Sequence, residues 1–231
     1  MDVWSDPSLA QRWSEDPTRR NPTRIEQLDI MLSLIQDLYQ SGKTIVDVGI
    51  GSGIVTSMLL ERMPDAQVLG IDGSPAMVKL AHERLVKYQD QYNITFQDLT
   101  DLDNASKPEG DFQIAFSVQT IHNIPDEHKV KSFEWIYNWL ETDGWFFLLD
   151  RFEVFQERLF PATHSLWKRL NRVYDSDVTE GDTFADHVEK VGNSEDIPAS
   201  LEQHLEWLRN IGFSAECLHV HGNRGLIVAR K

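Results

Sequence analysis

The sequence predicts an α/β fold: a doubly wound, seven-stranded, mostly parallel sheet with a C-terminal antiparallel hairpin strand and helices on both faces. Three observations carry this prediction. Short β-rich runs alternate with segments whose apolar residues recur at helical spacing, a pattern that calls for a parallel sheet with right-handed crossovers. One strand leads through a glycine-rich turn, Gly49, Gly51 and Gly53, directly into a helix. The last two runs are separated only by Gly222-Asn223-Arg224, short enough for a hairpin, so the final pair is antiparallel.

The first helix is predicted over 23–39, where Ile25, Leu28, Met31, Leu32, Ile35 and Leu38 share helical spacing and Ser41-Gly42 ends the run. TIVDV (44–48) is a buried strand, and a helix covers 54–62. AQVLGID (66–72) is the second strand. Ser74 caps the next helix, with Pro75 at its first position. Further strands are predicted at 93–98 and 111–117. The helix 126–140 turns Val130, Phe133, Ile136, Trp139 and Leu140 inward, and a strand follows at 145–150.

Residues 151–197 break this rhythm. They are polar and aromatic, with a helix near 155–175 and a loop holding Gly181 and Gly192. So long an interruption suits a lid or substrate loop better than an idle linker. As a lid, Phe152, Phe155, Phe160, Trp167 and Tyr174 would shape an apolar acceptor pocket; otherwise they form a satellite hydrophobic cluster. The alternation resumes with a helix at 201–213, stopped by Gly212, and strands at 214–221 and 225–231. The whole reads as one domain, 1–231, with a helical cap at 1–40 and a lid at 151–197.

Composition narrows the function. The 231 residues suit one α/β domain, and 41% hydrophobic content supplies a core. No apolar run approaches the roughly 18 residues of a membrane span. The start, MDVWSDPSLAQRW, lacks the basic-then-apolar pattern of a signal peptide, so the cytoplasm is the expected compartment. The single cysteine, Cys217, rules out an intrachain disulfide. With 22 basic against 37 acidic residues, net −15, the chain is a poor tracker of phosphate backbones, and nucleic acid is not the expected partner. Arg19-Arg20 and Lys168-Arg169 are the candidates for a local basic groove.

The chemistry-bearing residues sit at strand ends. In VDVGIGSG (46–53) the glycines permit positive φ and close backbone approach to a ligand, and the helix N-terminus adds N–H donors. Asp72 ends the second strand, where doubly wound nucleotide folds place a carboxylate against ribose hydroxyls. Asp98, beside the Leu99 N–H, offers an acceptor and a donor that match an adenine edge. His122 and Gln119 follow the fourth strand, and Asp150 and Arg151 end the fifth, near the ligand crevice. His122 suits proton transfer near neutral pH. His219 and His221 share a strand face, but no further ligands at metal-site spacing accompany them.

Together the glycine loop, Asp72, Asp98, DFQIAFSVQTIHNI (111–124), LETDGWFFLLD (140–150) and the closing hairpin resemble the successive motifs of class I S-adenosylmethionine (SAM)-dependent methyltransferases, over about residues 23–231. The resemblance implies SAM as cofactor, S-adenosylhomocysteine (SAH) as product and a small-molecule acceptor methylated at N, O or C. It implies that Gly49, Gly51 and Gly53 line the methionine and ribose portions and that Asp47 meets the methionyl amine. Asp72 would hold the ribose, Ser74 and Met77 would flank the adenine, Asp98 and Leu99 would read its edge, and Ser117 would offer backbone near the amino-acid end. An N-terminal segment with Trp4 and Trp13 would fold over the cofactor, with Arg20 or Arg24 on the methionyl carboxylate. Three other readings stand beside this one: SAM chemistry other than methyl transfer, a non-catalytic binding relative, and an NAD oxidoreductase. The turn is G-x-G-x-G rather than G-x-G-x-x-G, and little chain is left for a substrate domain, which disfavours the last.

Overall fold

The computed structural model describes residues 21–103, 105–110, 112–176, 178 and 180–231. Trp4, Trp13, Arg19 and Arg20, and with them half of the expected helical cap, lie outside the described residues. The chain runs α1 (Arg24–Leu38), β1 (Thr44–Val48), α2 (Ile54–Arg62), β2 (Gln67–Asp72), α3 (Pro75–Arg84), β3 (Tyr92–Phe96), β4 (Phe112–Val118), α4 (Asp126–Trp139) and β5 (Leu140–Arg151). Then come α5 (Phe160–Tyr174), α6 (Phe184–Gly192), α7 (Leu201–Ile211), β6 (Ser214–His221) and β7 (Arg224–Arg230).

The seven strands form one sheet in the order β3-β2-β1-β4-β5-β7-β6. β1 to β5 pair in parallel, and β7 runs antiparallel between β5 and β6. The connection between β6 and β7 shortens to Gly222-Asn223, with Gly222 at φ +64°. Residues on alternate sides of each strand feed two cores. On one face Ile45, Ile114, Phe147 and Val228 pack against Leu28, Met31 and Ile35 of α1 and Leu59 of α2. On the other, Val46, Ala115, Phe146 and Ile227 pack against Phe133 and Ile136 of α4 and Leu208 of α7. β1 and β4 have buried residues on both faces, which is why they read as unbroken apolar runs.

Three expectations need correction. β3 ends at Phe96, so Asp98 lies in the following loop rather than in the strand. β5 begins at Leu140, five residues early, through an irregular register opposite Phe112–Ile114. The 151–197 insertion holds a second helix, α6, where a loop was expected. A capping box starts it: the Thr183 hydroxyl accepts from the Asp186 N–H, and the Asp186 carboxylate accepts from the Thr183 N–H. Phe160 and Trp167 are buried with Leu170 and Val178 in a satellite core, Phe152 joins the main core, and Phe155 and Tyr174 are exposed. Phe160 and Trp167 therefore hold the insertion together. No helix among the described residues is long and apolar enough to cross a membrane.

Candidate active site

The glycine loop is built as backbone geometry alone. Gly49, Gly51 and Gly53 have φ of +79°, +54° and +74°, which ordinary side chains avoid. A Cβ on Gly49 would lie 2.2 Å from Thr120, and one on Gly53 would press on Ala81 and Leu85 of the α3 segment. Gly51 differs: the nearest atom to its added Cβ is the loop's own Gly49 carbonyl, at 3.9 Å. The loop is thus wedged at both ends and open in the middle, as a cradle for a ligand must be.

Its N–H groups are largely spent on the protein. Gly49 and Ile50 donate to the Ile71 carbonyl at 2.7 and 3.0 Å, and Gly53 donates to Ile50. Gly51 donates to Oδ2 of Asp72 at 2.8 Å, while Oδ1 of Asp72 accepts from the Ser74 N–H at 2.8 Å. A pyrophosphate nest needs such donors aimed outward. Here four of them turn inward, so the loop shapes a cavity wall instead of binding an anion. The arginine of α3, Arg84, donates to the Ser52 carbonyl and closes the loop from outside.

Asp47 lies in β1, Asp72 ends β2, and Asp98 follows β3 by two residues. Asp47 is buried at the end of β1, and its Oδ2 accepts from the Thr56 hydroxyl at 2.6 Å. Burial pushes its pKa up to about 7; the Thr56 bond opposes this, and the nearby Asp72 charge adds to it. Such a carboxylate is stabilised by any cation that reaches it. Asp72 stands at the end of β2, with one oxygen turned to the glycine loop and the other to the start of α3. Asp98 is exposed, and its Oδ1 accepts from the N–H and hydroxyl of Thr100, both at 2.8 Å. Gly73 allows the Asp98 backbone to pack against the β2 turn, since a Cβ there would come within 2.8 Å of the Asp98 Cα. That contact brings the two aspartate loops side by side. The Ser74 hydroxyl caps α3 by accepting from Met77 N–H at 3.3 Å, and Met77 and Leu99 are buried. The Ser117 hydroxyl donates to the Val48 carbonyl, tying β4 to β1.

The acceptor side centres on His122 and Asp150. Asp150 is fully buried at the end of β5. Its carboxylate meets His122 Nδ1 at 2.5 Å and accepts from the His122 N–H at 3.1 Å and the Arg151 N–H at 2.8 Å. Burial alone would raise its pKa, but the charge and hydrogen bond of His122 outweigh burial and hold it below the usual range. Nε2 of His122 faces Asp196 at 3.6 Å, and Asp196 also pairs with Arg151, which donates in turn to Glu180. Asp150 and Arg151 therefore do not pair with each other's side chains. The two are linked instead through His122 and Asp196, and Arg151 pins the insertion to the end of the sheet. Just before His122, Gln119 takes φ +54°. A non-glycine residue in that region is strained, a state that collects at functional sites.

Residues 45–144 match the family model described as a methyltransferase domain. The chain is 23% identical to the carboxy-S-adenosyl-L-methionine synthase of Nautilia profundicola over 90% of its own length and 85% of that protein. The chain is thus similar to SAM-dependent methyltransferases, in sequence over residues 45–144 and in fold throughout. It is also 35% identical to a trans-aconitate 2-methyltransferase of Acidovorax sp., over 37% of this chain and 29% of that one. In structure it resembles a SAM-dependent methyltransferase from Aquifex aeolicus, with TM-score 0.61 at 16% identity, covering 97% of this chain and 98% of that one. Three other solved chains of this fold are longer, this chain spanning 55%, 61% and 60% of them.

Residues that sequence reasoning missed are Thr56, Thr120, Glu180 and Asp196. Each acts across the fold, and no local periodicity or turn signal marks it. A contrast of two variants tests the loop. Gly49→Ala is expected to cost about 2–5 kcal/mol from backbone strain and the Thr120 clash. Gly51→Ala meets only open space and is expected to cost about 1 kcal/mol of stability while weakening SAH binding, because its methyl occupies the cradle. Thermal melts paired with SAH titration separate the two; equal melting losses would contradict the geometry.

Proposed function

We propose that the chain transfers the methyl group of SAM to a small-molecule acceptor. The observation that carries this is the cradle: a wedged glycine loop, open at Gly51, flanked by the buried Asp47 and by Asp72 at the end of β2. These residues fit SAM. Asp47 would take the amino-acid ammonium, Asp72 the ribose hydroxyls, and Asp98 with Leu99 the adenine edge, beside Ser74 and Met77. When bound, SAM supplies a methyl group already activated on a sulfonium. The remaining work for the chain is alignment and exclusion of water. His122 is the candidate base. Asp150 would fix its ring through Nδ1, and Nε2, 3.6 Å from Asp196, would be the atom that accepts the acceptor's proton.

The first experiment is isothermal titration with SAM, SAH and NAD. Binding of SAM and SAH but not NAD is expected; NAD binding alone, or no binding, would overturn the reading. The pH dependence gives a sharper signature. Asp47 is protonated in the free protein below about 7 and must lose its proton to pair with the ammonium. SAH affinity is therefore expected to rise with pH up to about 7, by about one log unit per pH unit well below it, and then level off. Asp47→Asn should flatten this profile.

A second reading is favoured by the carboxy-SAM synthase relative, whose alignment spans 90% of this chain. In that reading the same site carries out chemistry on SAM itself. Mass analysis of the turnover products decides: a methylated acceptor with SAH supports transfer, and a modified SAM supports the alternative.

A further inference from the structure

Three guanidinium groups gather at the carboxyl end of β5. Arg151 ends β5 and stands directly opposite Arg224, the first residue of β7. Both lie on the sheet face that α1 covers, in phase with Leu149 and Leu226 of that core. Arg24 opens α1, and Gln27 of the same turn donates to the Arg224 carbonyl. Facing like charges in a sheet repel. Burial first, then repulsion from Arg151 and Arg24, pushes Arg224 down to about 10; burial does the same to Arg24.

Only one of the three is matched. Arg151 pairs with Glu180 and Asp196. Among the described residues neither Arg24 nor Arg224 has an ion-pair partner, and both side chains keep a buried Nε with no acceptor. The Nε of Arg151 and the Nε2 of Gln119, at the end of β4, are likewise buried without acceptors. Every one of these orphan atoms is a donor. Among the described residues three cations here face two carboxylates, Glu180 and Asp196, so one positive charge is left over. An unmatched charge on a half-buried arginine whose Nε lacks an acceptor is costly, and at the ligand edge of the sheet it suits an anion.

Position says which anion. β7 is three strands from β1, in the order β1-β4-β5-β7, roughly 14 Å at the usual strand spacing. The donor's carboxylate shares a carbon with the ammonium assigned to Asp47 on β1. Arg224 is rooted beyond that group, on the side of Gln119 and His122. We propose that Arg224, supported by Arg24, holds a carboxylate or phosphate carried by the acceptor. This rests on the methyltransferase reading above.

The test titrates malonate, citrate and inorganic phosphate into full-length protein, with and without saturating SAH, for wild type, Arg224→Gln, Arg224→Lys and Arg24→Gln. At least one anion is expected to bind the SAH-loaded wild type and to weaken about tenfold or more in Arg224→Gln, with Arg224→Lys in between. Malonate or citrate preferred over phosphate identifies a carboxylate; the reverse order identifies a phosphate. SAH affinity should stay within about twofold in Arg224→Gln. The anion-free variant should melt no lower than wild type, because an unmatched buried charge has gone. A purely structural arginine would instead lower the melting temperature. No anion binding to SAH-loaded wild type would overturn the proposal. So would equal loss of SAH and anion affinity in Arg224→Gln, which would give the cluster to the donor's own carboxylate. Failure of the methyltransferase reading is a separate result: anion binding intact with no SAH binding.

Discussion

Asp72→Ala is expected to weaken SAM and SAH binding by about 100-fold or more. Two hydrogen bonds from ribose hydroxyls to a carboxylate are worth about 1.5–3 kcal/mol each, and about 1.4 kcal/mol is a factor of ten. The carboxylate also holds its surroundings in shape, since it accepts from the N–H groups of Gly51 and Ser74. Removing it loosens the glycine loop and the start of α3 together. Asp72→Asn keeps the shape but has one carbonyl acceptor in place of two, so an intermediate loss is expected. Titration of both variants, with circular dichroism to confirm folding, measures this. Unchanged SAH affinity in a folded Asp72→Ala protein would remove Asp72 from the site.

Asp150→Ala is expected to produce a large loss of stability, about 3–5 kcal/mol, because a buried carboxylate that accepts from three groups is removed. His122 would lose the acceptors of its Nδ1 and backbone N–H, and Arg151 would lose that of its N–H. For a chain of this size the melting temperature should fall by on the order of 10 °C. The pH dependence has a definite sign. Asp150 is held below its unfolded value, so its contribution is full above about pH 4 and is lost as pH falls through the lower folded value. The stability gap between wild type and variant should therefore narrow in acid. Any methyl transfer that depends on His122 should fall as well, since the ring loses its anchor. A variant as stable as wild type at neutral pH would contradict the burial and bonding described here.

The legible parts of this protein were local. Helical spacing at Leu28, Met31, Leu32 and Ile35 marked the face of α1 that is buried. Ser74-Pro75 marked the start of α3, and Gly222-Asn223 the closing turn. α6 was missed because its few buried positions gave no apolar run; only its capping box, Thr183 to Asp186, signalled it. Asp98 was placed in the strand because the expected run NITFQD (93–98) continues past Phe96, the last paired residue.

By itself the sequence determined the order of the strands and of every helix but α6, the glycine loop and the positions of Asp47 and Asp72, because periodicity, turn chemistry and φ preference act over a few residues. Tertiary structure alone decided that Asp150 anchors His122, that Asp196 joins His122 to Arg151, and that Arg24, Arg151 and Arg224 meet. These groups are 28 to 200 residues apart in the chain. Their energies depend on burial and on distance through space, and neither quantity exists until the sheet has formed.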